Sequence, residues 1–332
     1  MKQFLSKNWR MVLLVVLLCT SLGIFLSHAI SRLESNPMGT PAVSDTPTRY
    51  WLDKIELGNL YSNPGKVFDN SRSVTYPPIY YYLWHYTGSN DYTGGIITII
   101  CSLLTGLTLY LIARKIGLDK WSLLAPCLFF FTNTIIGWGS IPRPDGLALL
   151  FSVVGIYLFL YKPLWSVPLF VLALFTKQTY FVTPLAAGVY LLTKNWKQAL
   201  TFGGLYLLTV GIVTYAVNRL LPGFVSSIIL AYKNNKANNY WLRMVWISAV
   251  ITFTNLVIPF GILAWIKSKA KFGLFGVWFL TSFVVMVIMS GKWGSADNYG
   301  FELITVSCLL VTAFLGPIGD KLELRLKKEV GM

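Results

Sequence analysis

Long apolar blocks separated by short polar loops run through most of the chain, and they limit its fold more than any other feature. The first block, MVLLVVLLCTSLGIFLSHAI at 11–30, is long enough to cross a bilayer, which takes about 20 residues per helix. No small-residue cleavage site follows it, so we expect a retained transmembrane helix and not a signal peptide. Charged residues make up only 12% of the chain, against about 25% in soluble domains. The sequence therefore predicts an all-α polytopic membrane protein.

The apolar blocks predict about ten transmembrane helices, with a range of 8–11. The fifth and sixth blocks are short and flank the segment FTKQT, so they indicate either a tilted pair or a hairpin that enters the membrane part-way. We expect residues 1–320 to form one transmembrane domain and residues 321–332 a short basic tail. The blocks lie at about 11–30, 94–112, 121–138, 146–160, 164–176, 179–193, 199–221, 244–265, 273–290 and 301–317.

The basic residues predict the orientation. With MKQFLSKNWR in the cytoplasm, ten crossings put ARKIGLDKW, YKP, TKNWKQ, IKSKAK and the C-terminal tail on the same side, as the positive-inside rule requires. Loop 222–243 is an exception, because it carries basic residues on the opposite side. We expect both termini in the cytoplasm and the protein in a bacterial-type inner membrane. The net charge of +15 comes from these scattered loop residues, and no basic run interleaved with aromatic residues indicates nucleic-acid binding.

The long loop 31–92 on the outer side has patterns of its own. TRYWLDKIELGNLY has apolar residues near helical spacing, which is typical of a helix lying in the membrane interface. YPPIYYYLWHY is rich in aromatic rings, and Pro77 and Pro78 can begin a helix there. Such rings favour the headgroup level and predict membrane anchoring, with stacking against a sugar or an isoprenoid chain as an alternative.

Charged residues from four separate motifs meet on this outer side. Charges at the ends of membrane spans are costly unless they pair, reach water or bind a ligand, so four such motifs predict a shared polar pocket. Asn298 and Glu302 are four residues apart and can face one pocket if the last helix already begins there. The motifs are VSDTPTRYW with Asp45, IPRPDG with Arg143 and Asp145, LFTKQTYF with Lys177, and GKWGSADNYGFE with Lys292, Asp297, Asn298 and Glu302.

In order and sidedness, YPPIYYYLWHYTG, RPDGLALLF, LFTKQT and GKWGSADNYGFE resemble the motifs of bacterial integral-membrane glycosyltransferases of the GT-C class. The pattern is similar to the dolichyl-phosphate-mannose-protein mannosyltransferase-like (PMT-type) and aminoarabinose-transferase-like proteins, over about residues 40–305. The resemblance implies a GT-C-like fold. It also implies transfer of a sugar from a polyprenyl-phosphate donor to a lipid, protein or glycan acceptor on the extracytoplasmic face of the bilayer, in cell-envelope assembly.

The resemblance assigns the general base to Asp45, because the class has a catalytic acidic residue in the first outer loop. A carboxylate suits the attack of an acceptor hydroxyl, which must lose its proton. A helix N-cap is the alternative for Asp45, since Asp is a preferred cap. The family often has a second carboxylate directly afterwards, where this sequence has Thr46. Other carboxylates in reach of the loop are Glu34, Asp53 and Asp69.

The leaving group in such a transfer is a lipid phosphate, and fixed cations stabilise its growing charge. The resemblance therefore assigns donor phosphate binding to Arg143, Lys177 and Lys292. For Arg143 the alternatives are a salt bridge to Asp145 or an extension towards the headgroups. Donor or acceptor contacts are expected from Tyr76, Asp145, Asn298, Tyr299 and Glu302.

No cysteine or histidine spacing matches a metal site, so we expect no metal and no other cofactor, although a divalent ion would be compatible with the class. Two other functions remain open. One is a transporter or flippase for a sugar or lipid-linked sugar, although such proteins tend to carry internal repeats and midplane charges. The other is a non-catalytic scaffold subunit that keeps the fold, which the single carboxylate at position 45 allows.

Overall fold

The computed structural model describes residues 2–35, 60–61, 76–88, 90–234, 239–268, 272–292 and 296–330. Within these ranges every regular element is helical. The α-helices are α1 (Lys2–Ser35), α2 (Ile79–Tyr86), α3 (Asp91–Lys115), α4 (Leu124–Phe130), α5 (Asn133–Trp138), α6 (Pro144–Phe159), α7 (Val167–Thr176), α8 (Val182–Lys194), α9 (Trp196–Leu220), α10 (Phe224–Asn234), α11 (Tyr240–Thr254), α12 (Val257–Lys267), α13 (Leu274–Ser290) and α14 (Phe301–Val330). Short 3-10 helices cover Pro163–Ser166, Gln178–Phe181 and Asp297–Gly300.

Four helical segments are long and apolar enough to cross a membrane, and they lie in α1, α3, α9 and at the start of α14. Helices α11 and α12 meet at an angle of 88° and together would make a fifth span. Three shorter apolar helices, Pro144–Phe159, Pro163–Thr176 and Leu274–Ser290, fall below the length of a full crossing. The prediction of an all-α membrane protein is therefore confirmed. By helix length the structure supports four or five spans, and the larger number remains a prediction.

Helix α6 lies at the centre of the bundle. It packs against α3 on one side and α7 on another, and residues on all of its faces are buried. A helix that is apolar all round belongs in an interior, because every face then contacts other apolar groups. Helix α14 packs against α12, α13 and α4, and α13 in turn packs against α8. The polar N-terminal end of α6 is thereby held among several helices.

The aromatic segment before α3 forms α2, which begins directly after Pro78 as the sequence predicts. Its rings do not form a surface girdle, however. Tyr80, Tyr81 and Trp84 are fully buried in the protein, and Trp84 Nε1 donates to the carbonyl of Asn90 at 2.8 Å. For these three rings the prediction of membrane anchoring was wrong, because α2 packs its aromatic face against α3, α6 and α7.

Two other predictions concern the ends of the chain and the outer loop. The predicted interface helix in TRYWLDKIELGNLY lies outside the described residues, apart from Leu60 and Tyr61, both of which are buried. The predicted basic tail continues α14 as a single helix to Val330, with Pro317 inside it.

Candidate functional site

Asp145 occupies the first turn of α6. Pro144 is the first residue of the helix, where its missing N–H costs nothing, and an acidic residue in the first turn interacts favourably with the helix dipole. The carboxylate does not reach solvent, because Asp145 is only 3% exposed. A buried carboxylate needs charged or hydrogen-bonding partners, and here they come from three different segments.

Both oxygens of Asp145 face cations or amides. Oδ1 accepts hydrogen bonds from Lys177 Nζ and from Asn298 Nδ2, the latter at 2.8 Å. Oδ2 lies 3.5 Å from Arg143 Nε. Lys177 is itself 1% exposed, and Arg143 keeps 12% of its side chain accessible. The ion pair proposed from sequence as an alternative for Arg143 is therefore present, and Lys177 shares it.

Aromatic rings enclose the two cations. Arg143 Nη2 donates to Tyr76 Oη at 2.7 Å, and the Tyr76 ring lies 5.9 Å from Arg143 Cζ and 5.6 Å from Lys177 Nζ. The Tyr299 ring lies 4.9 Å from Lys177 Nζ, and Trp138 lies 5.5 Å from Arg143 Cζ. Cations over ring faces are stabilised without being neutralised. We call the following set the cation cluster: Tyr76, Arg143, Asp145, Lys177, Asn298 and Tyr299.

Neighbouring groups fix the backbone of this cluster. Tyr180 Oη donates to the carbonyl of Asp145 at 3.0 Å, and the buried Tyr61 donates to the carbonyl of Tyr76 at 2.7 Å. A Cβ at Gly94 would lie 2.5 Å from Pro142 Cβ, so only glycine lets the segment before Arg143 approach α3 this closely. The positions of the cations are thus set by packing as well as by charge.

Glu302 lies in the first turn of α14 and is 8% exposed. One of its oxygens accepts the Thr183 hydroxyl from α8. Glu302 and Asn298 line the same cavity of about 20 Å³, as their spacing of four residues predicts. The other lining residues are Thr179, Tyr180, Val182, Ser282, Val285, Met286, Met289 and Tyr299.

An apolar groove of about 190 Å³ begins beside the cluster. Two of its lining residues, Pro77 and Gln178, directly follow Tyr76 and Lys177 in the chain. The other lining residues come from α7, α9 and α10, and they are Leu174, Phe175, Thr214, Phe224, Val225, Ile228 and Ile229. The charged cation cluster and the apolar groove are therefore next to each other.

Lys292 follows α13, three residues beyond the cavity-lining Met289. It is partly buried, and burial lowers the pKa of its amino group to about 8. Its carbonyl accepts a hydrogen bond from Arg243 Nη2 at 3.3 Å. The contacts described for the cation cluster do not include the amino group of Lys292. The role of Lys292 in phosphate binding therefore stays a prediction.

The predicted base, Asp45, lies outside the described residues, as do Asp53 and Asp69. Glu34 is exposed near the end of α1. In the described ranges no group of three or more His, Cys, Asp or Glu side chains is placed to hold a metal ion, and all four cysteines are free.

Sequence reasoning missed three side chains that contact the site: Trp138, Tyr180 and Thr183. Each lies inside or beside an apolar block, where a single aromatic or hydroxyl residue is ordinary. The position of Tyr180, three residues after Lys177, was the one available signal, since residues three apart on a helical turn lie close together. Comparisons of the chain with protein-family models, curated proteins and solved structures find no match.

Proposed function

We propose that the chain is an integral-membrane glycosyltransferase that moves a sugar from a polyprenyl-phosphate donor to an acceptor on the extracytoplasmic face of the membrane. In this proposal the helices adopt a GT-C-like arrangement of about ten crossings with both termini in the cytoplasm, in the inner membrane of a bacterial-type cell. The acceptor is a glycan, lipid or protein of the cell envelope.

The observation that carries the proposal is the charge of the cluster. Arg143 and Lys177 are two cations, and both lie against the single carboxylate of Asp145. Two enclosed, preorganised cations at one place are what a departing lipid phosphate requires.

The groove supports a lipid as the carrier of that anion. A polyprenyl phosphate combines one anionic head with a hydrocarbon chain, and the groove offers apolar surface starting one residue from Tyr76 and one from Lys177. Arg143 suits the phosphate because its guanidinium binds two oxygens at once, while its bond to Tyr76 sets its direction.

In this mechanism Arg143 and Lys177 stabilise the phosphate as the bond to the sugar breaks. A carboxylate takes the proton of the acceptor hydroxyl as that hydroxyl attacks the anomeric carbon, and the sequence resemblance assigns this role to Asp45. Asp145 is less suited to it, because Lys177 and Asn298 already occupy its Oδ1. Asp145 instead orients the two cations.

A transfer assay in membranes tests the proposal, with radiolabelled polyprenyl-phosphate sugars given to wild type, Asp45→Asn and Arg143→Lys. We expect transfer by wild type, loss in Asp45→Asn and a raised donor KM in Arg143→Lys. Arg114→Lys is the matched control, because Arg114 pairs with Asp119 at an exposed site. Transfer that is unchanged in both site variants would contradict the assigned roles.

One feature favours a transporter as the second candidate. Helices α11 and α12, which together would make one span, meet at 88° around Asn255, whose Oδ1 accepts the Thr134 N–H of α5 at 3.0 Å. Broken helices often line the binding sites of transporters. Movement of a lipid-linked sugar across proteoliposomes without transfer of the sugar would support this function over the enzyme.

A further inference from the structure

Two residues that line the small cavity beside Glu302, Asn298 and Ser282, each have a buried polar atom with no hydrogen-bond partner among the described residues, Oδ1 and Oγ respectively. Both residues are 3% exposed. Asn298 donates through Nδ2 to Asp145, so its oxygen is the atom left without a bond. A buried polar atom without a partner is unfavourable, so a binding partner in the cavity would stabilise the protein.

The lining residues cannot satisfy one another. Asn298 Oδ1 accepts hydrogen bonds but cannot donate, and the carboxyl oxygens of Glu302 are further acceptors. Ser282 has a single hydroxyl proton to give. A molecule that both donates and accepts can bridge these groups, and water does so with two donor and two acceptor positions.

The volume agrees with this chemistry. The cavity measures about 20 Å³, and a buried water needs about 10–15 Å³ and typically makes three hydrogen bonds. We propose that the cavity binds one water molecule, which donates to Glu302 and Asn298 and accepts from Ser282. Glu302 is then a positioning residue for the cation cluster, since it acts on Asp145 through this water and Asn298.

The proposed water completes a path of hydrogen bonds across the bundle. Thr183 on α8 donates to Glu302 on α14, the water joins Glu302 to Asn298, and Asn298 donates to Asp145 on α6. The water site does not depend on the transfer reaction. Only the effect of Glu302 on lipid binding rests on the proposed function.

Radiolytic hydroxyl-radical labelling of the full chain in nanodiscs tests the water site. Met286 and Met289 line the cavity, and Met286 is 2% exposed, so radicals reach it only if they form at a water beside it. We expect oxidation of Met286 to its sulfoxide, a modification to which methionine is prone. Cys308 is the internal control, because it is equally easy to oxidise, fully buried and outside the cavity lining.

Two variants make the labelling specific. Ser282→Val fills the space and removes the hydroxyl, so labelling of Met286 should fall at least several-fold. Ser282→Ala leaves the space and two of the three partners, so labelling should persist. Labelling of Met286 as low as that of Cys308 in wild type would overturn the proposal, as would labelling that is equal in Ser282→Val.

Affinity for farnesyl phosphate tests the positioning role. Glu302→Gln keeps a side chain that bonds to water and to Thr183, so we expect affinity close to wild type. Glu302→Leu should bind about tenfold more weakly, since leucine cannot hold the water that supports Asn298. Equal affinity in both variants would overturn the positioning role. Failure of wild type to bind would contradict the proposed function instead, and the labelling result would still decide the water site.

Discussion

Asn298 donates from Nδ2 to Oδ1 of Asp145 at 2.8 Å, although the two residues lie 153 positions apart in the chain. Lys177 donates to the same oxygen. One carboxylate oxygen thus holds together the start of α6, the turn after α7 and the 3-10 helix before α14. Because these groups share one acceptor, a change at any of them should affect both stability and anion binding.

Asp145→Asn should destabilise the protein strongly. The change removes the carboxylate that Lys177 and Arg143 share, and breaking a buried pair by removing one partner costs about 3–5 kcal/mol. Thermal unfolding in detergent measures the effect. Asp119→Asn is the control, because that carboxylate is exposed and its loss should not change the unfolding temperature measurably.

The double variant Asp145→Leu with Lys177→Met gives a stricter comparison. An apolar pair of similar volume replaces a buried ion pair at little cost, so the double variant should be more stable than the sum of the two single changes predicts. Additive effects would show that Asp145 and Lys177 do not depend on one another, against the contact between them.

Tyr76→Phe should weaken anion binding more than it weakens the fold. The change removes the acceptor of the 2.7 Å bond from Arg143 but keeps the ring beside both cations. We expect a stability loss of about 1–3 kcal/mol from the lost hydrogen bond and a raised KM for the lipid donor with little change in kcat. Tyr215→Phe is the control, since Tyr215 bonds to Arg219 at an exposed site on α9. Equal KM values in the two variants would contradict a role for Tyr76 in directing Arg143.

Part of this site could be predicted from the sequence for a simple energetic reason. Charges at the ends of apolar blocks must find partners, so the four charged motifs predict one shared pocket. The structure brings together the part of it formed by Arg143, Asp145, Lys177 and Asn298. The helices follow from the same blocks, since backbone groups in a membrane satisfy one another within a helix. Sequence did not indicate that Asp145 would be the shared acceptor, because that depends on how α6, α7 and α14 pack.

The aromatic segment shows a second limit. Tyr80, Tyr81 and Trp84 have the composition of a headgroup girdle, yet they are buried in the protein. Tyrosine and tryptophan are amphipathic and suit both the headgroup region and the protein interior. The number of these rings alone therefore does not show in which of the two they lie. Apolar patterning has the same weakness in a membrane protein, because residues that face lipid and residues that face other helices are equally apolar.

Gly94→Ala should destabilise the protein by forcing apart two packed segments. A Cβ there would lie 2.5 Å from Pro142 Cβ and 2.9 Å from Trp84 Cε2, closer than packed atoms allow, so the chain leading to Arg143 must move. Gly204→Ala on α9 is the control, since no atom lies within 4 Å of its added methyl group. That control should gain up to about 1 kcal/mol from helix propensity. Equal unfolding temperatures would contradict the close approach at Gly94.

Lys292 predicts a specific pH dependence. Burial lowers the pKa of its amino group to about 8, so between pH 7 and 9 the protonated fraction falls from about nine-tenths to about one-tenth. If Lys292 binds the donor phosphate, affinity for the donor should fall over this range. Lys292→Arg should bind equally at both pH values, because arginine stays charged. A fall of the same size in Lys292→Arg and wild type would contradict the assignment.

The stability of the fold should rise with pH, whereas affinity for the donor should fall. The pKa of Lys292 is lower in the folded protein than its ordinary value of 10.5, so the unfolded chain binds more protons between about pH 8 and 10.5. Unfolding is then increasingly disfavoured as pH rises through this window. Relative to Lys292→Met, which has no such proton, the wild type should gain stability from pH 8 to 10, measured by chemical denaturation at each pH. A constant difference between the two proteins would show that the amino group is not held in a desolvated site, and the affinity loss would then need another cause.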